Sequence, residues 1–234
     1  MNVPEETFVA LVLPTGDLVH TDFAMSLVNL CVHTVASGVS FVIANSRSSS
    51  IVKSRNIGVE AALAVPGVTH LCFIDSDQIF PAFTLQTLLA HDKDIISVAS
   101  VCRQFPVRFT AKDADDHDID FCNLDGLLPV KSNGFSFMLI KREVFEKMKF
   151  PWFQSHYTIN PGKPAEEREF VSEDEFFCEG AYAYGYEVLI DCGLTHHIRH
   201  VGQYRFGPSD IAEIIVKKAI IAATTEEIKH VNSN

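Results

Sequence analysis

The sequence predicts an α/β protein built on a central, mostly parallel sheet flanked by helices, on three observations. Short apolar runs alternate with segments of helical period through the first hundred residues. Those runs lack the two-residue alternation of a half-exposed strand, so they suit strands covered on both faces. Glycine and proline breakers separate them at intervals short enough for right-handed crossovers.

Taken in order, residues 8–13 read as a first strand, closed by Pro14, Thr15 and Gly16. A helix follows over residues 21–37, with Phe23, Leu27, Leu30, Cys31 and Val35 on a helical period and Gly38 as its stop. Residues 39–44 form a second strand, and residues 49–65 a second helix ending at Pro66 and Gly67. The third strand is His70-Leu71-Cys72-Phe73-Ile74, and it runs into Asp75-Ser76-Asp77. Two carboxylates one residue apart at the carboxyl end of a buried strand lie where open α/β sheets bind ligands. They repel unless a positive charge sits between them, and a divalent cation carrying phosphates answers that need. Aspartates there also make turns, and Pro81 reads as the first-turn residue of the next helix, so taken alone the triplet favours a turn.

Arg55 shares a helix face with Ile51, Val59 and Ala62, which places a permanent charge among residues that face the sheet. It requires an anionic partner. A salt bridge to Asp75 or another carboxylate and a contact of Arg55-Asn56 with a nucleotide both satisfy that requirement.

The chain continues with a helix over residues 81–91 and an apolar strand over residues 95–101. Between Arg103 and Val130 the pattern turns irregular and acidic; the run from Asp113 to Asp120 lacks the glycine and closing glutamate of a calcium loop and reads as a solvated hairpin. Residues 136–140 form a strand and 142–148 a short helix. The aromatics Phe150, Trp152 and Phe153 suit a core more than an exposed platform. Ser172 with Glu175 has capping-box spacing, which puts Glu173 and Asp174 in the first turn of a helix running to Gly185. Beside the positive end of the helix dipole both should stay ionised at neutral pH. A strand over 187–191 precedes His196, His197 and His200, one of which could complete a metal site begun by Asp77.

At 234 residues the chain fits one α/β domain, divided into residues 1–101, 102–206 and a last helix beyond 207, and no linker composition interrupts it. A net charge of -11 offers no basic footprint for a nucleic-acid backbone. Six scattered cysteines without a CxxC pair read as reduced thiols, and no run is long enough for a transmembrane segment, so a cytoplasmic location is the expectation. The terminal segment 209–231 places Ile211, Ile214, Ile215, Ala219 and Ala222 on one face, a surface for packing or for a homo-oligomer.

Together, Asp75-Ser76-Asp77, the upstream Arg55-Asn56, the segment Asn133 to Phe145, Glu173-Asp174 with Phe177-Cys178, and His200-Val201-Gly202 resemble the glycosyltransferases of the GT-A fold, in particular the small family-2-like enzymes. The likeness spans roughly residues 8–206. It implies a nucleotide-sugar donor, with a UDP-sugar favoured, a divalent metal (Mn2+ or Mg2+), and an acceptor of unspecified kind, whether glycan, lipid-linked or protein. Asp75, Asp77 and His200 would form the metal site, with Asp77 and His200 as ligands and Asp75 on a metal-bound water or the ribose, and Asp174, accompanied by Glu173, would be the base of an inverting transfer. Pro14, Thr15, Arg55 and Asn56 would lie on the nucleotide. Two other readings stand beside this one. A phosphatase of the haloacid-dehalogenase type also carries an Asp-x-Asp strand, but on its first strand rather than its third. A catalytically silent nucleotide-sugar-binding module would keep Asp75 and Asp77 and need no base.

Overall fold

The structure is a computed structural model and describes residues 6–158, 169–202, 205–208 and 211. The elements in chain order begin with β1 (Phe8–Thr15), α1 (Thr21–Ala36), β2 (Ser40–Arg47), α2 (Ile51–Leu63), β3 (His70–Ile74), β4 (Gln78–Ile79), α3 (Thr84–Ala90) and β5 (Ile95–Ser97). They continue with β6 (Leu127–Val130), β7 (Phe137–Lys141), α4 (Arg142–Lys147), β8 (His156–Tyr157), β9 (Phe170–Val171), α5 (Glu173–Ala183), β10 (Val188–Asp191), α6 (Cys192–Thr195), β11 (Arg199–Val201) and β12 (Arg205–Phe206).

Seven strands form the central sheet in the order β2-β1-β3-β7-β5-β10-β6. β2, β1, β3, β5 and β10 run one way, and β7 and β6 run against them. The sheet is therefore mixed and mostly parallel. β1 continues two residues past its predicted end, into the break, because its register with β2 extends through Pro14 to Thr15. Past Val12 β1 pairs with β2 alone, so the missing N–H of Pro14 costs no ladder bond on the β3 side.

Two apolar layers cover the sheet. On one face α1 and α3 pack Phe23, Leu30, Leu85 and Leu88 against Val9, Leu11, Cys72 and Ile74. On the other, α2, α4 and α5 enclose an aromatic cluster of Phe73, Phe135, Phe145, Phe153 and Phe177, in which Phe153 and Phe177 stack at 5.2 Å. Trp152 and Phe153 belong to this core, while Phe150 stands out in solvent. The alternation of inward positions along β3 serves both layers at once, which is why its apolar run is unbroken.

Several expectations change in detail. The helix predicted from Pro81 begins at Thr84; the Pro81 carbonyl instead accepts from the Thr84 backbone N–H at 3.2 Å and from its hydroxyl at 2.8 Å. The regular strand predicted over 95–101 closes at Ser97. The segment 103–130, read as irregular, ends in a strand, β6, that pairs antiparallel with β10. The acidic run is a solvated loop, with the Asp113 side chain accepting from the backbone N–H groups of Asp115 and His117. All six cysteines are free thiols. The predicted terminal helix, residues 209–231, lies outside the described residues apart from Ile211, which is buried. No helix among the described residues is long and apolar enough to cross a membrane.

Candidate active site at the carboxyl ends of the strands

The site forms where β3 ends. The Asp75 backbone N–H donates to the Ser136 carbonyl, and the Gln78 N–H donates back to the Asp75 carbonyl, so residues 75–78 turn sharply into β4. β4 joins β11 in a small three-stranded sheet with β12, with Gln78 opposite His200, and the Val201 N–H donates to the Asp77 carbonyl at 2.8 Å. This short pairing carries a histidine from the far end of the chain to the Asp-Ser-Asp turn.

His200 Nδ1 lies 2.7 Å from the Val101 carbonyl, which can only accept, so Nδ1 carries the proton. Nε2 then points at Asp77 Oδ2, 3.3 Å away. In the neutral ring that nitrogen presents a lone pair beside a carboxylate oxygen, a donor set suited to a hard or borderline divalent cation, and the Val101 bond fixes the required tautomer. The residues present therefore fit the expected metal. Arg103, which sequence reasoning missed, also reaches Asp77 Oδ2 at 2.9 Å and the Val201 carbonyl at 3.4 Å. Its position after the fourth parallel strand was the available signal. Burial pushes the Asp77 carboxyl up, but in the absence of a metal a His200 imidazolium donating from Nε2, together with the Arg103 charge, outweighs it and holds it below its ordinary value.

Asp75 turns away from this pair. Its Oδ1 accepts from Arg55 Nη1 at 3.1 Å, and burial raises its pKa despite the arginine. Arg55 is 2% exposed and meets three carboxylates: Asp75, Asp174 at 3.1 Å and Glu173 at 3.5 Å. Phe135 lies beneath the guanidinium at 5.0 Å. Both aspartates and the glutamate thus converge on one cation, and the salt-bridge reading of Arg55 describes what it does in this fold.

Asn56 takes a structural position. Its amide donates to the carbonyls of Phe153 at 2.8 Å and Val52 at 2.9 Å and accepts from the N–H groups of Trp152 and Phe153. These bonds clamp the aromatic segment, under which the residue is buried. Pro14 and Thr15 lie at the carboxyl end of β1, where the Thr15 hydroxyl accepts from Asn45 Nδ2 at 2.9 Å; a cleft of about 490 Å3 opens beside them between Asp17, Arg47 and Ser48.

The capping box at α5 is formed as its spacing predicts. Ser172 Oγ accepts from the Glu175 N–H at 3.3 Å, and Glu175 Oε2 accepts from the Ser172 N–H at 2.8 Å. Glu173 accepts from the Ser155 hydroxyl at 3.5 Å. For Asp174 the pull of the helix dipole toward the ionised form is opposed by its surroundings. Burial first, then the neighbouring Glu173 and Asp75, push it up to about 7 against the pull of Arg55 and a bond from the Phe135 N–H. Asp174 opens on a cavity of about 290 Å3 lined by Arg108, Thr110 and Asn133. A carboxylate with a pKa near the working range, at the wall of a cavity, is suited to removing a proton from a bound hydroxyl.

Of the three predicted metal donors, the structure brings Asp77 and His200 together and assigns Asp75 to Arg55. Among the described residues, the group of three acidic or histidine side chains whose ligand atoms all lie within 4.8 Å of one another is instead Asp113, Asp115 and His117, on the exposed loop.

No family model matches the chain, and no curated protein matches it in sequence. Solved structures do resemble it. A197 from STIV aligns over 87% of this chain and 91% of its own, at 16% identity and a TM-score of 0.54. The catalytic domain of Drosophila beta1,4-galactosyltransferase 7, in complex with xylobiose, aligns over 84% of this chain and 71% of its own, at 14% identity and 0.51. GalNAc-T7 with UDP, GalNAc and Mn2+ aligns over 86% of this chain and 43% of its own, at 11% identity and 0.50. The chain has a GT-A-like fold.

Proposed function

We propose that this chain is a metal-dependent glycosyltransferase that moves a sugar from a nucleoside-diphosphate sugar, with UDP as the favoured nucleotide, to an acceptor hydroxyl with inversion. The observation that carries the reading is Arg55. One buried cation ties Asp75, at the end of the central strand, to Asp174, at the wall of a cavity. The donor end and the acceptor end of a transfer site are thereby held in fixed relation by a single side chain.

In this reading Asp77 and His200 hold Mn2+ or Mg2+, which when bound supplies positive charge for the diphosphate leaving group. UDP and Mn2+ accompany GalNAc-T7, a structural neighbour, which supports that choice. Arg103 swings between Asp77 and the phosphates, since its side chain is half exposed and its charge is permanent. Asp174 accepts the proton of the attacking hydroxyl, and its raised pKa makes it a stronger base than an ordinary carboxylate. Glu173, Arg55 and the capping box hold its position, and Asp75 faces the nucleotide ribose. Pro14 and Thr15 border the base.

Asp174→Asn tests the assignment. The variant keeps the shape of the side chain, so it should bind UDP with manganese as the wild type does and lose transfer by about 100-fold or more, the scale of a general base. Transfer at the wild-type rate would remove Asp174 from the base role and return the chain to the silent-module reading.

A further inference from the structure

Resting on that reading, we infer that the acceptor is a neutral oligosaccharide, bound in a trough of at least two sugar subsites whose outer ring lies on Phe170. The cavity at Asp174 does not end there. Its walls at Lys112, Ser132 and Glu175 are shared with a second cavity of about 370 Å3, bounded farther out by Lys131, Glu179 and Phe170. The two compartments run side by side along the first turns of α5. Glu175 and Glu179 are one turn apart, roughly 6 Å along the helix axis, a step comparable with one pyranose unit.

The charges on the walls select the ligand. Arg108 pairs with Asp118 at 3.3 Å, Lys112 also pairs with Asp118, and Lys131 pairs with Asp116 at 2.6 Å. The three cations thus share two loop aspartates, while Asp174, Glu175, Glu169 and Glu179 add four carboxylates to the same walls and leave them negative on balance. A phosphorylated, sulfated or uronic-acid acceptor meets no surplus of positive charge here and is disfavoured. A neutral polyol gives hydroxyl donors to the carboxylates and acceptors to the lysines. Phe170 completes the set. It is 55% exposed at the rim of the outer compartment and is held by the tilted Tyr157 ring at 5.2 Å, and its exposed ring surface is offered to the C–H side of a sugar ring.

The test compares methyl glucoside, galactoside and xyloside, which carry no ring beyond the first sugar, with cellobiose, lactose and xylobiose as acceptors, using a UDP-sugar and manganese, on the wild type and Phe170→Ala. The disaccharide series should be preferred, and Phe170→Ala should raise its KM about tenfold while moving the monosaccharide KM by less than about twofold. No disaccharide preference in the wild type, equal effects of Phe170→Ala on both series, or better use of a uronic-acid disaccharide would overturn the inference. Where no acceptor turns over, saturation-transfer NMR on the three disaccharides decides: contact to both rings supports the trough, and contact to neither refutes it. Folding of the variant, and the donor reading itself, are followed by the thermal shift that UDP with manganese produces. If that shift is absent from the wild type, the glycosyltransferase reading fails; if it is present without a disaccharide preference, only the trough fails.

Discussion

Replacing Arg55 by methionine removes the cation that three carboxylates share, and the structure sets the scale of the damage. The arginine side chain is 2% exposed, and those of Asp75, Glu173 and Asp174 are 26%, 13% and 23% exposed, so water can take over its role only in part. Stripping one partner from a buried ion pair costs about 3–5 kcal/mol. Arg55→Met should lie in that range at pH 8, a fall in Tm of roughly 6–20 °C for a chain of this size. The loss should shrink as the pH is lowered to 5. Without the arginine the folded-state pKa values of Asp75 and Asp174 rise further above their unfolded values. The stranded carboxylates then take up protons in the folded protein, and stability is regained below those pKa values. Arg55→Lys keeps a charge but not the fork that reaches three acceptors, and should fall between. Urea denaturation at pH 5 and pH 8 measures all of this. Stability of Arg55→Met within about 1 kcal/mol of wild type at pH 8 would refute the shared-cation account.

Asn56→Ala should destabilise by about 1–3 kcal/mol, because it strands buried backbone groups of Trp152 and Phe153, and should leave UDP affinity unchanged. Lost UDP binding at unchanged stability, read by urea midpoint and calorimetry, would restore the nucleotide contact. In the wild type, the Asp174 carboxyl stands at about 7 in the folded chain against 3.8 ordinarily. Between those values the folded protein holds a proton the unfolded chain has released, so stability should fall as pH rises from about 4 through about 7. Asp75, also raised, adds to that slope, whereas Asp77, lowered, acts only at more acid pH. Asp174→Asn should flatten the slope in a urea series at pH 5, 6, 7 and 8; an unchanged slope would contradict the assignment.

The parallel opening of the fold was legible because each strand is an unbroken apolar run and each helix is bracketed by breakers. The insertion of β7 between β3 and β5 was not, since Phe137–Lys141 reads the same whichever way its neighbours run. β4 and β11 are too short to leave a period, although the histidine they deliver was singled out by composition. For Arg55, the demand for an anion followed from its helix face; that Glu173 and Asp174 would share it with Asp75 depends on tertiary packing across 118 positions. The role of Asn56 was illegible because an amide serves a ligand or a backbone equally well. The helix-dipole argument for Asp174 was sound locally and was outweighed by burial, which only the packed structure supplies.

A metal-dependent nucleotide site at the end of β3 stands or falls on thermal shift with UDP, with and without manganese, on the wild type and Asp77→Ala. The account predicts stabilisation of the wild type only when both are present, about 2.7 kcal/mol at a hundredfold excess over Kd, and none in the variant. No stabilisation of the wild type at millimolar UDP and manganese, or equal stabilisation of both proteins, would contradict it.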